Sequence, residues 1–176
     1  MIRHKITALT FVLSALAAPA AHAQNEPAVP QKIIEQALKV PECTVSPKEA
    51  ADSVELADLG KGLKLVTISC WRAAYNFGSV LFVLNSSAPD KARLLSFRIY
   101  SQKKFVQTYQ LSNVDYDEKR RTLASLHKGR GVGDCGSIGE WKWTGTNFKP
   151  TGYWFKEDCD GEPFDGERKW RVYPRK

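Results

Sequence analysis

The chain has 176 residues, 43% of them hydrophobic, with 26 Lys plus Arg against 19 Asp plus Glu and a net charge of +7. This length suits a single domain. Past the first two dozen residues no segment is apolar enough to span a bilayer, which excludes a later membrane span. The mild basicity permits contact with an anionic cell-envelope polymer without demanding it, and points to no nucleic-acid partner.

Met1–Ala23 has the three-part grammar of a cleavable secretory signal peptide. Arg3, His4 and Lys5 make a basic start, Ile6–Ala18 an apolar stretch, and Ala21-His22-Ala23 a small-residue cleavage site after Ala23. The apolar stretch is about 13 residues, where a membrane span needs about 20. Gln24–Pro30 reads as a loose polar leader, and residues 31–176 as one disulfide-stapled domain. Gln31–Lys39 is expected to be a helix, because Ile33, Ile34, Ala37 and Leu38 share a face and Pro41 ends it. Ser46-Pro47-Lys48-Glu49 is a capping-box pattern that opens a short turn.

Strand patterns follow. Val54–Leu59 and Leu63–Trp71 flank the hairpin signal Gly60-Lys61-Gly62. Ser79–Leu84, Arg93–Tyr100, Tyr109–Tyr116, Thr122–Leu126, Ile138–Thr144, Phe148–Phe155 and Lys169–Tyr173 continue the series, separated by polar turns. The expected fold is α+β: an N-terminal helix packed on a twisted antiparallel β-meander. An all-β barrel or sandwich is the alternative.

Four cysteines follow the leader: Cys43, Cys70, Cys135 and Cys159. In an exported chain an even count reads as two disulfides. Three pairings exist; Cys43–Cys70 with Cys135–Cys159 is favoured because each closes a modest loop within one half of the chain. A zinc site would want close pairs such as C-x-x-C, which are absent, so no metal and no cofactor is expected.

Gly129–Gly136 holds four glycines in eight residues and is not a dinucleotide fingerprint, because a strand pattern follows it. It reads as an irregular turn locked at Cys135 with Arg130 and Asp134 paired, or as a ligand loop in which Arg130 offers its fork to an anion. Trp141 and Trp143 share one strand face, as core or as an aromatic platform. The acidic run from Glu157 to Glu167 is a poor calcium loop, with Pro163 where glycine should bend. His127 is the one histidine beyond the leader, and no nucleophile-elbow pattern surrounds any serine, so no enzyme is expected.

Three segments carry a resemblance. They are Cys70-Trp71-Arg72-Ala73-Ala74-Tyr75-Asn76, the loop Gly129–Gly136 running into Trp141-x-Trp143-x-Gly145-x-x-Phe148, and Cys159-Asp160-Gly161 followed by Trp170-Arg171. Together they resemble the exported bacterial proteins of domain-of-unknown-function family eleven seventy-six, in its C-terminal half. This chain departs at Ala73, where the family has glycine, and at Asp160, where it has arginine. The resemblance implies periplasmic residence in a Gram-negative bacterium and the favoured cysteine pairing, and implies no activity. The expected function is a non-enzymatic periplasmic binding or accessory protein, acting through Arg130, Asp134, Trp141 and Trp143 on a periplasmic protein or an anionic polymer. The alternatives are an inhibitor or immunity protein against a periplasmic toxin or cell-wall hydrolase, and a cell-wall hydrolase using paired carboxylates.

Overall fold

A computed structural model describes residues 29–174; the expected signal peptide at Met1–Ala23 and residues 24–28 of the leader lie outside the described residues. Helix α1 (Gln31–Leu38) turns Ile33, Ile34 and Ala37 into an apolar cluster. Helix α2 (Pro47–Asp52) starts on the capping box: the Glu49 amide donates to Ser46 Oγ and the Ser46 amide to the Glu49 carboxylate.

Strands β1 (Glu55–Gly60) and β2 (Leu63–Arg72) form the expected hairpin, and Gly60, Lys61 and Gly62 all take positive φ at its turn. Strand β3 (Phe77–Asn85) pairs with β2, with the two-residue β4 (Arg93–Leu94) and with β7 (Gln110–Ser112). These make the first sheet. Strands β5 (Phe97–Ser101) and β6 (Lys104–Thr108) form a separate two-stranded ribbon. Strands β8 (Val114–Asp117), β9 (Thr122–Lys128), β10 (Gly136–Trp143), β11 (Phe148–Lys156) and β12 (Arg171–Tyr173) make the second five-stranded sheet.

The α+β expectation is therefore corrected. Of the described residues 49% are strand and 14% helical, in three sheets where one helix on a single meander was expected. Two segments that read as single strands cause the difference. Arg93–Tyr100 splits into β4 and β5, which belong to different sheets, and Tyr109–Tyr116 splits into β7 and β8, which also belong to different sheets. The second break is at Asn113, whose φ is 43°. Asparagine tolerates that left-handed conformation better than most residues.

The first sheet is buried on both faces. In β3, Val80, Phe82 and Leu84 join the cluster that holds Ile33, Ile34, Ala37, Val66 and Ile68. Leu81 and Val83 point the other way, into a second cluster with Leu65, Leu111, Leu123, Trp141, Trp143 and Tyr153. Burial on both faces is why β3 reads as a nearly unbroken apolar run. The second cluster lies between the two large sheets. There Trp141 meets Phe97 edge-on at 5.3 Å between ring centroids, and Trp143 meets Phe148 at 5.1 Å.

Disulfides join Cys43 to Cys70 and Cys135 to Cys159, and no described cysteine is free. The partners are 27 and 24 residues apart in sequence. Loops of this size are stabilised by roughly 3 kcal/mol per crosslink.

Two outcomes follow for folding. Thiol titration of the denatured, unreduced protein should find no free thiol, and reduction should lower the melting temperature by more than 10 °C, on the order expected when two crosslinks are lost from a small domain. Asn113→Gly keeps the left-handed backbone but removes the side chain, and should cost about 1–3 kcal/mol in denaturant unfolding. Asn113→Ala should cost roughly 1 kcal/mol more, because alanine resists positive φ.

Candidate functional site

Three segments far apart in sequence meet at one end of the second sheet. They are the turn Ala73–Asn76 between β2 and β3, the loop Gly129–Gly136 between β9 and β10, and the stretch Cys159–Gly161 after β11. The meeting is built from polar groups. Asn113, at the crossing between sheets, accepts from the Phe77 amide at 2.9 Å, and its own amide donates to Asn76 Oδ1 and to the Leu126 carbonyl, each at 2.9 Å. Asn76 is buried; its Oδ1 accepts from the Lys128 amide at 3.0 Å and its Nδ2 donates to the Lys128 carbonyl at 2.9 Å. The root of the glycine loop is thus held in place from the β2–β3 turn.

The loop itself is locked twice. Arg130 grips Asp134 with both arms of its fork, Nε to Oδ1 at 2.7 Å and a terminal nitrogen to Oδ2 at 2.5 Å. The same Oδ2 accepts from the Gly161 amide at 2.6 Å, beside the Cys135–Cys159 bridge. The Asp134 side chain is only 7% exposed. The Arg130 guanidinium, and after it the Gly161 amide, hold its carboxyl well below the usual range for aspartate, against the opposing effect of burial. Gly136, where the loop re-enters the sheet, has φ +129°, and a Cβ there would sit 1.9 Å from the His127 carbonyl. Only glycine fits that approach.

Each expected site residue finds a definite place. Arg130 and Asp134 are brought together, and the fork of Arg130 is occupied by its own neighbour, so it is not held ready for a carboxylate or phosphate ligand. Trp141 and Trp143 are 1% and 4% exposed. The aromatic-platform reading is corrected: both indoles are core between the sheets, because alternation on β10 turns them to the face that packs on Leu65, Leu81 and Leu111 of the first sheet. Asp134, Cys135 and Cys159 offer ligand-type atoms within 4.8 Å of one another. They do not suit a cation, because both sulfurs are spent in the disulfide and the carboxylate is already bonded. In the acidic run, Asp160 pairs with Lys156, whose side chain is 0% exposed and lies 4.9 Å from the centre of the Trp170 ring.

Sequence reasoning missed two features. The first is Val132, 78% exposed at the tip of the locked loop, with the exposed Tyr75 ring beside the neighbouring Gly131. An apolar residue inside a glycine-rich run was the available signal. The second is a hydrogen bond of 3.1 Å between Ser112 Oγ and His127 Nδ1, where β7 approaches β9. Partial desolvation pushes the His127 pKa down, so the imidazole favours its neutral form. Only the tertiary structure brings these two residues together.

The depressed pKa of Asp134 fixes the sign of a pH effect. Its ionic contribution to stability is fully present above the ordinary aspartate pKa of about 3.9, and is lost as pH falls below that toward the lower folded value. The gap in melting temperature between the protein and Asp134→Asn should therefore be constant above about pH 5 and shrink below about pH 4. A gap that does not vary with pH would mean that the carboxylate charge plays no part.

The three segments that converge here are those that carry the family resemblance. The chain matches the family described as "Protein of unknown function (DUF1176)" over residues 8–174. It is also similar to "Uncharacterized protein YpfG" of Escherichia coli (strain K12), 29% identical over 119 residues. That alignment covers 67% of this chain and 34% of the relative, so the chain spans about a third of the length of the curated protein it matches. No solved structure matches it. With the family match running through nearly the whole sequence, the chain belongs to the DUF1176 family of proteins of unknown function.

Proposed function

We propose that this protein is exported to the periplasm and acts there as a non-enzymatic binding or accessory protein, with the tip of the Gly129–Gly136 loop as its contact surface for a protein partner. Two disulfides, and the absence among the described residues of a helix long and apolar enough to cross a membrane, are consistent with an oxidising compartment outside the cytoplasm. The observation that carries the reading is Val132. A large apolar side chain stands 78% exposed on a backbone fixed by a disulfide, a two-armed ion pair and a buried asparagine. A loop already fixed in its bound shape loses little entropy on docking. Tyr75 widens the apolar contact, and tyrosine is among the residues enriched where binding energy concentrates.

The same rigidity supports a second reading, a blocking role against a periplasmic toxin or cell-wall hydrolase, because a protruding rigid tip can fill another protein's cleft. A cell-wall hydrolase acting through paired carboxylates draws less support. Glu55 and Asp115 line a common cleft, but its volume is about 170 Å³, below the roughly 300 Å³ at which small-molecule sites begin.

A photo-crosslinking residue placed at Gly131 in the exporting cell should give discrete periplasmic adducts. Val132→Asp combined with Tyr75→Ala should reduce those adducts by about tenfold or more, as loss of a central apolar anchor does. Adducts that persist unchanged in the double variant would overturn the proposed surface. Slowing of a purified cell-wall hydrolase by the chain, relieved by the same double variant, would select the blocking role.

A further inference from the structure

A second site lies away from the loop tip, around His127. Two clefts of about 390 and 290 Å³ meet there and share Ile99, Gln110, Ser112 and His127 in their walls. The crossing at Asn113 creates this place: it brings the end of β7 beside the end of β9, under the β5–β6 ribbon. Hydrogen bonds tie the floor together. Gln110 accepts from the Trp71 indole at 2.6 Å and donates to the Pro41 carbonyl, and Ser112 is bonded to His127.

The smaller cleft has an unusual lining. In a chain whose residues are 26% charged, none of the described residues that line it is Asp, Glu, Lys or Arg. Tyr100 and Phe155, with ring centres 5.5 Å apart, line it together with Ser112, Ser137 and His127, and the buried Tyr153 lies behind them. Aromatic rings offer apolar faces to a flat C–H surface. Hydroxyls both donate and accept, and a neutral imidazole does the same through its two nitrogens. The partial desolvation that favours neutral His127 keeps the cleft free of formal charge.

We propose that this cleft binds the ring of an uncharged saccharide. A charged ligand would leave water with no opposite charge to meet, at a large desolvation cost. A purely apolar ligand would leave unmet the hydrogen-bonding capacity that the serine hydroxyls and the imidazole keep beyond the Ser112–His127 bond. A sugar ring meets both conditions, with hydroxyls on its edge and C–H groups on its faces. A volume of about 290 Å³ lies at the small end for ligand sites and suits one ring rather than a chain.

The test is a titration of the mature protein, followed by amide shifts in nuclear magnetic resonance. The probes are the methyl glycosides of glucose, galactose and N-acetylglucosamine, with glucuronate and glucosamine as anionic and cationic counterparts. At least one neutral glycoside should shift the amides of Ser112, His127 and Ser137 together, and the charged probes should bind about tenfold or more weakly than it. Ser137→Asp, which places a charge in the cleft, should weaken the neutral glycoside by about tenfold. His127→Ala, at the exposed rim, should weaken it about fivefold and keeps the test decisive if Ser137→Asp does not fold. Absence of these shifts with every neutral glycoside, equal binding of a charged probe, or wild-type affinity in His127→Ala would overturn the proposal. These readouts involve neither Val132 nor Tyr75, so success or failure here is distinct from that of the protein-docking surface.

Discussion

The structure turns on one side chain, the amide of Asn113. It stands where the chain leaves the first sheet and enters the second, between β7 and β8, with a backbone angle that few residues accept. Its oxygen holds the start of β3 and its nitrogen reaches Asn76 and the end of β9. A polar side chain so placed satisfies backbone groups that the sheet break would otherwise leave unpaired, and unpaired buried groups are costly. Everything at this end of the molecule takes its position from that junction. Asn76 passes it on to the root of the glycine loop through Lys128, and Ser112, one residue before the crossing, is set against His127.

From that junction the loop gains its rigidity by a second set of contacts. Asp134 is nearly buried and yet remains a carboxylate, because Arg130 and the Gly161 amide supply what water would have supplied. The disulfide crosses the same gap by a covalent route. An arginine so engaged braces the loop although half of its side chain is exposed, and Val132 at the tip stands further into solvent. What this surface presents is the shape of a fixed backbone with the apolar side chains of Val132 and Tyr75.

Charge is distributed unevenly for a physical reason. The acidic run after Cys159 is partly consumed locally: Asp160 answers the buried ammonium of Lys156, which also donates to the Glu162 carbonyl and lies near the Trp170 ring. Removing a charge from water is tolerated only when such partners are present. The cleft beside His127 shows the opposite arrangement, with aromatic rings and hydroxyls and no formal charge among its described walls. The two candidate surfaces therefore differ in chemistry as well as in position.

Local rules made much of this legible in the residues alone. The Gly60-Lys61-Gly62 hairpin, the capping box at Ser46 and the cysteine pairing all rest on contacts close in sequence or on loop length, and the structure contains each of them. Alternation along β10 put Trp141 and Trp143 on one face, and only burial against the facing sheet decided that this face is core. The mostly β, three-sheet architecture was hidden because a period of two looks the same whether a run stays in one sheet or crosses to another. Arg93–Tyr100 and Tyr109–Tyr116 each read as one strand for that reason. Sequence by itself determined the local turns, the staple positions and the family motifs. Tertiary structure alone decided the sheet crossing at Asn113 and the meeting of Ser112 with His127, because each depends on which distant segments come together, and it chose the Arg130–Asp134 pair from the two readings that the loop's residues offered.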